Sequence, residues 1–337
     1  MCFIALICCN LPYSFKNMKE PTYRQALVQA WHAVWRNKVL WIFGLLSVFL
    51  GQLGFSDVFG KIWSLSEFGV REKALIFLPK FDLNISGDLW SMLGIILLGG
   101  ICMSVIVLVI FLGATSQGAL IASAAEWFKS NKHQPAAKSW KYGLLHFWNI
   151  LWVNVLRKIA LVLLLAVFGL ALKYFLDSQA VGSSFLFAVS LVLLLFLSLF
   201  VSTLSIYALC YIVVEGKGIT NAIKKSWSLF SRHILVSFEV GLVLTLLNFV
   251  LLAVIAASAF VAFLPSTFIW LIAGATNMVA LAAAGFVLGL FLWLVFLGFI
   301  AGIFNAYTTS AWTYLFMSMH TEGVTSRMVR FFRHWFK

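Results

Sequence analysis

The chain of 337 residues is too apolar for a soluble protein, since 63% of its residues are hydrophobic, only 10% are charged and its mean hydropathy is +1.01. Soluble domains have roughly 45–50% apolar and about 25% charged residues, so the composition predicts an integral membrane protein. The net charge of +13 is not gathered into a polar block long enough to fold separately. It therefore favours contact with anionic lipid headgroups over nucleic acid.

The N-terminal segment is a leader whose role the sequence leaves open. Its opening, MCFIALICCN, is apolar but lacks the basic start and small-residue cleavage site of a signal peptide. Either the segment is a short disordered or membrane-dipping leader, or translation starts at Met18. The predicted organisation is a leader over 1–20, a membrane domain over 21–319 and a basic cytoplasmic tail over 320–337.

Six apolar runs approach or exceed the roughly 20 residues that a helix needs to cross a bilayer. They span 39–55, 89–125, 159–176, 185–214, 234–264 and approximately 278–317. Because hydrocarbon offers backbone groups no partners, and the runs do not alternate like barrel strands, they predict an all-α, polytopic membrane helix bundle. A break at Pro265 suggests an outer connector before the sixth helix; the alternative is that 266–319 crosses twice.

Basic residues accumulate on one side of these six runs. With the N-terminus inside, 19 of the 24 Lys and Arg residues lie in the inner segments 16–38, 129–158, 217–232 and 327–337. The outer segments carry five basic residues against six acidic ones. Since Lys and Arg accumulate in cytoplasmic loops, both termini are predicted to be cytoplasmic.

A basic, tryptophan-bearing segment occurs twice, each time directly before an apolar run. Residues 26–36 and 222–232 share the order A-[LI]-x-x-[AS]-W-x-x-[VF]-x-R, with Trp31 aligned on Trp227. The apolar positions recur at helical spacing, opposite a cationic face, and such a helix lies in the headgroup plane. A looser third copy follows Pro135, with either Trp140 or Trp148 aligned on Trp31. The sequence thus predicts three units, each an interfacial amphipathic helix followed by a hairpin of two membrane helices.

The cations and indoles of these segments are expected to contact lipid headgroups, with anionic phospholipid as the partner. The alternative is that any helix beside the inner leaflet collects Trp, Lys and Arg, which explains the composition but not the matched order. The predicted headgroup contacts are Arg24, Trp31, Arg36, Lys138, Trp140, Lys224, Lys225, Trp227 and Arg232.

Three phrases carry a family resemblance: PTYRQALVQAWHAVWRNKVLWIFGLL, GALIASAAEWFKSNKHQPAAKSWKYGLLHFWNILW and YIVVEGKGITNAIKKSWSLFSRHIL. They resemble the membrane domain associated with glycerophosphoryl diester phosphodiesterases, and related six-helix prokaryotic membrane proteins of unknown function. The resemblance covers about 21–319 and implies a multi-pass protein of the prokaryotic cytoplasmic membrane. In the enzymes of that family the chemistry resides in a separate soluble barrel, which these 337 residues do not contain.

The sequence presents no catalytic, cofactor or metal-site pattern. The six histidines form no HExxH pair, and the five cysteines have no paired CxxC spacing. Glu126 and Glu215, at the inner ends of two runs, are interpreted as capping or dipole partners of the basic helices that follow.

Polar side chains inside the membrane are costly and are the remaining candidates for function. Glu239 is hypothesised to pair with Arg157 or Lys158; the alternative is a glutamate that reaches water. Neutral polar residues are interpreted mainly as interhelical hydrogen bonds, and alternatively as a transport pocket. The intramembrane polar candidates are Glu239, Arg157, Lys158, Gln117, Asn248 and Asn305, with Tyr207 as a further member of the pocket.

The sequence therefore favours a non-enzymatic integral membrane protein whose basic inner surface binds anionic lipid. The corresponding roles are lipid handling, envelope maintenance or assembly of other membrane proteins. The alternative is a secondary transporter or small-solute permease, and a membrane-embedded enzyme ranks third.

Overall fold

The structure, a computed structural model, describes residues 23–48, 89–130, 134–177, 181–276 and 278–321. The leader over 1–20, most of the basic tail and both chain termini lie outside these residues. The described residues form helices and contain no β-strand, which confirms the all-α prediction. The nine helices are α1 (Tyr23–Arg36), α2 (Val39–Ser47), α3 (Leu89–Ser130), α4 (Ala136–Leu145), α5 (Phe147–Asp177), α6 (Val181–Glu215), α7 (Ile219–Arg232), α8 (Ile234–Thr276) and α9 (Val279–Thr321).

Five of these helices are long and apolar enough to cross a membrane, namely α3, α5, α6, α8 and α9. They correspond to five of the six predicted spans. The first predicted span, 39–55, begins with α2 and is described only as far as Val48. The chain is thus a multi-pass membrane helix bundle.

The nine helices form three units of three, in the predicted order of a short amphipathic helix and two apolar helices. Within each unit the two apolar helices pack on each other as a hairpin: α2 on α3, α5 on α6, and α8 on α9. The short helix of each unit packs on the second apolar helix of the unit before it. Accordingly α4 lies on α3, α7 lies on α6, and α1 closes the ring by lying on α9.

The structure also indicates the register of the third, looser sequence copy. Trp31, Trp140 and Trp227 each stand five residues before the last residue of their helix. The residue preceding each tryptophan, Ala30, Ser139 or Ser226, is fully buried. Equal distance from the helix end and equal burial therefore favour Trp140 over Trp148 as the match of Trp31.

The protein core lies at the end of the bundle that carries α1, α4 and α7. There the C-terminal parts of α3, α6 and α9 meet through Phe128 and Tyr314, whose ring centroids are 5.1 Å apart, and Tyr211 and Phe316, at 4.8 Å. Towards the other end the apolar helices expose large side chains, as at Ile96, Leu170, Phe185, Phe260 and Leu271. An apolar surface of this extent is the kind that lipid covers.

The predicted break at Pro265 is wrong, because α8 continues through this proline to Thr276 and turns into α9 within three residues. A proline removes one backbone donor, but membrane helices tolerate it where neighbouring helices support the segment. Here Phe263 and Ser266 pack directly against Gly289 of α9. Residues 266–276 therefore belong to a hairpin arm, and residues 279–321 form one helix.

Candidate functional site

Each unit is fastened to the next by one hydrogen bond between buried side chains of its apolar helices. We call the three inter-unit contacts the first joint (α3 with α4 and α5), the second joint (α6 with α7 and α8) and the third joint (α9 with α1 and α2). The bonds are Asn154 Nδ2 to Gln117 Oε1 at 2.7 Å, Tyr207 Oη with Ser237 Oγ at 2.8 Å, and Asn305 Nδ2 to Ser47 Oγ at 2.7 Å.

These bonds show what Gln117, Tyr207 and Asn305 do in the fold. Gln117 and Asn305 are 6% and 7% exposed, and Tyr207 is fully buried. Each directs a polar atom to a different neighbouring helix, as interhelical bonds in membranes do. Asn248, the fourth member of the predicted pocket, is half-buried on α8. The described bonds therefore place three of the four residues in separate joints.

In the first joint, helix backbones approach closely through glycine. A methyl group on Gly143 of α4 would lie 3.0 Å from the carbonyl carbon of Thr115 and 3.1 Å from the amide nitrogen of Ala119. Both are α3 backbone atoms, so the absence of a side chain at Gly143 lets the two helices touch. Phe111 and Phe147 complete this contact with ring centroids 5.1 Å apart.

The third joint closes in the same way with different residues. Gly44 of α2 lies against the carbonyl oxygen of Gly302 of α9, and a methyl group on Gly302 would be 2.9 Å from Leu45 Cα. Asn305 Nδ2 additionally donates to the Gly44 carbonyl at 3.3 Å. The absence of side chains at these two glycines thus lets α2 and α9 approach closely.

The second joint contains contacts between large apolar side chains. Gly241 of α8 faces the side chain of Leu199, and Phe200 of α6 meets Phe230 of α7 with centroids 5.0 Å apart. Farther from the end that carries α7, the rings of Phe196 and Phe238 stack with their centroids 5.1 Å apart and 9° between their planes. A groove of about 400 Å³ remains between α6, α7 and α8.

The turn between α6 and α7 sets the position of the basic helix. Gly216 adopts a left-handed backbone with φ of 65°, which glycine accepts without strain, and ends α6 directly after Glu215. The Glu215 carboxylate lies 3.4 Å from Lys225 Nζ of α7 and 3.3 Å from His320 Nε2 of α9. The helix cap of α7 has no side-chain hydrogen bond. Glu215 thus links three helices and does not cap α7, whereas its predicted role as a dipole partner of α7 stays a prediction.

The basic residues predicted to contact headgroups all lie at the end that carries α1, α4 and α7. We call these predicted headgroup cations the cationic collar. Its members are Arg24, Arg36, Lys138, Lys224, Lys225 and Arg232, each exposed in the structure. Among the half-buried groups nearby, His233 has its pKa lowered by desolvation and, secondarily, by Arg232.

The three matched tryptophans have different surroundings. Trp227 is 55% exposed, whereas Trp31 and Trp140 are half-buried. Trp31 contacts the ring of Tyr307 at 6.0 Å, and Trp140 stacks on Phe43 at 6.2 Å. Their packing gives these two indoles a structural role in holding units together, and headgroup contact stays a prediction for all three.

The charged intramembrane candidates lie near the first and second joints. Arg157 of α5 is 5% exposed and stands one helical turn beyond Asn154, on the face that meets α3. Lys158 and Glu239 are half-buried. Pairing of Glu239 with Arg157 or Lys158 stays a prediction.

Sequence reasoning missed the partners of the interhelical bonds, Ser47, Asn154 and Ser237. They lie 11, 9 and 5 residues after the last residues of α1, α4 and α7, so no common spacing in the sequence marks them. No protein family, curated protein or solved structure matches this chain in the comparisons made. The described residues contain no group of three or more His, Cys, Asp or Glu side chains placed to hold a metal ion.

Proposed function

We propose that the chain is a non-enzymatic membrane protein that binds anionic phospholipid through its cationic collar, in the cytoplasmic membrane of a prokaryote. Its roles would be lipid handling, envelope maintenance or assembly of other membrane proteins. The observation that carries the proposal is that all three amphipathic helices lie at one end of a lipid-facing bundle. Membership of the phosphodiesterase-associated family is part of the same proposal.

The electrostatics of this end support an anionic partner. Glu215 is the acid that directly neutralises a collar residue, through its ion pair with Lys225. Lys138, Lys224 and Arg232 have no ion-pair partner among the described residues. A basic residue near an anionic membrane surface contributes about 1 kcal/mol of binding free energy. These three cations are therefore the most direct members to test.

The test compares thermal unfolding in nanodiscs of phosphatidylcholine with and without phosphatidylglycerol. We expect phosphatidylglycerol to raise the unfolding temperature of the wild type. The triple variant Lys138→Gln, Lys224→Gln, Arg232→Gln should lose most of that increase. At about 1 kcal/mol per cation, the lost stabilisation by lipid amounts to up to about 3 kcal/mol of unfolding free energy. Lys225 is left unchanged, because its removal would also break the Glu215 contact.

Lys173→Gln is the matched control, since Lys173 is an exposed cation on α5 at the opposite end of the bundle. As a single cation it should lose at most about 1 kcal/mol of the stabilisation by phosphatidylglycerol, against up to about 3 kcal/mol for the triple variant. The proposal fails if phosphatidylglycerol leaves the wild type unchanged, or if the control loses as much as the triple variant. Stabilisation by small polar solutes without any lipid preference would favour the transporter instead.

A further inference from the structure

The groove of the second joint is an apolar surface feature that the collar alone does not explain. Its volume is about 400 Å³, and its lining comes from α6, α7 and α8. Hydrocarbon side chains dominate that lining, and its one polar residue, Thr203, donates its hydroxyl to the Leu199 carbonyl at 2.8 Å. The lining residues are Phe196, Leu197, Leu199, Phe200, Thr203, Phe230, Ile234, Leu235 and Phe238.

The groove lies beside a position at which the three short helices differ. Gly143, Phe230 and Val34 each stand two residues before the last residue of their amphipathic helices. At the first joint Gly143 lets α4 touch the backbone of α3. At the second joint the equivalent residue, Phe230, meets the ring of Phe200 instead. The groove thus lies beside a pair of aromatic rings, at the position where the first joint has a glycine contact.

The chemistry of the groove selects an acyl chain as its occupant. Its walls offer no unsatisfied hydrogen-bonding group to a polar solute, and removing each methylene from water contributes about 0.8 kcal/mol. Arg232 and His233 follow Phe230 and precede Ile234 in the polypeptide, and both Phe230 and Ile234 line the groove. Arg232 is exposed, and a guanidinium is a good partner for a lipid phosphate.

We infer that the second joint holds one acyl chain of an anionic phospholipid, with the headgroup on Arg232. The inference rests on the proposed function for the choice of headgroup. The first joint is closed by Gly143 of α4 against α3, and the third joint by Gly44 of α2 against Gly302 of α9. The acyl chain is assigned to the second joint because the groove lies there. The bound acyl chain would fill the space between the second and third units.

The test uses phosphatidylglycerol with a diazirine in one acyl chain, incorporated into nanodiscs that contain the full chain. After illumination, crosslinked peptides are mapped by mass spectrometry. We expect crosslinks to concentrate on 196–203 and 230–238. The variant Leu235→Trp, which enlarges a groove residue that is 45% exposed, should reduce them several-fold. Leu252→Trp makes the same change on the same helix at a lipid-facing residue outside the groove and should not.

The outcomes separate this inference from the proposed function. Crosslinks spread evenly over the exposed apolar helices, or unchanged by Leu235→Trp, overturn the acyl-chain site even if phosphatidylglycerol still stabilises the protein. Groove crosslinks equally strong with a phosphatidylcholine probe support the acyl-chain site and count against the anionic collar. If Leu235→Trp unfolds the protein, Leu235→Phe gives the same comparison with a smaller increase in volume.

Discussion

Gly143 lies where α4 meets the backbone of α3, so its replacement by alanine tests the joint geometry directly. The added methyl group would meet the Thr115 carbonyl group and the Ala119 amide nitrogen, which are backbone atoms and cannot rotate away. Overpacking of this kind costs about 1–3 kcal/mol. Alanine regains at most about 1 kcal/mol through its higher helix propensity. We therefore expect Gly143→Ala to lower the free energy of unfolding by about 1–2 kcal/mol.

The matched control is Gly169→Ala in α5, where no atom lies within 4 Å of the added methyl group. That substitution should be neutral or stabilising by up to about 1 kcal/mol. The assay is equilibrium unfolding of both variants in the same lipid–detergent mixture, with helicity as the readout. If Gly143→Ala were as stable as Gly169→Ala, the close backbone contact of the first joint would be refuted.

Three further substitutions test other contacts. Asn305→Leu should destabilise the fold by about 1 kcal/mol. A double-mutant cycle with Ser47→Ala should show a coupling energy between the two residues, and a coupling energy of zero would contradict their hydrogen bond in the third joint. Glu215→Gln should lower the unfolding temperature more in the wild type than in a Lys225→Gln background, and equal losses would argue against the ion pair. The folded protein lowers the pKa of His233 from its ordinary 6.5, so near this pH the unfolded chain binds more protons than the folded protein does. The free energy of unfolding should therefore fall as the pH drops through 6.5. His233→Gln should reduce that fall, measured from pH 7.5 to 5.5, and an unchanged slope would exclude His233 as its source.

The helices and their order could be predicted from the sequence because hydrocarbon imposes a strong local rule. Five predicted spans appear as long apolar helices, and the matched segments around Trp31 and Trp227 form α1 and α7. Helical spacing and length alone determine these features. Pro265 misled the prediction, because the support that α9 gives to α8 depends on a contact distant in the fold.

The joints could not be predicted, because they depend on which helices meet. Gln117 and Asn305 were recognised as intramembrane polar residues, but their partners Asn154 and Ser47 lie 37 and 258 residues away. The groove likewise depends on Phe230 meeting Phe200 across two units. Composition can locate such residues in a membrane, and only the packing shows which contacts they make.

The central claim is that α1, α4 and α7 all lie at one face of the membrane. Its most direct measurement is labelling of single cysteines with a membrane-impermeant maleimide in a background without native cysteines. The sites are Lys38→Cys, Ala137→Cys and Ser231→Cys at the collar end, and Thr276→Cys at the end of α8. The account predicts that intact cells label only Thr276→Cys, and that permeabilised cells label all four. Labelling of some but not all collar-end sites in intact cells, or of a collar-end site together with Thr276→Cys, would contradict it.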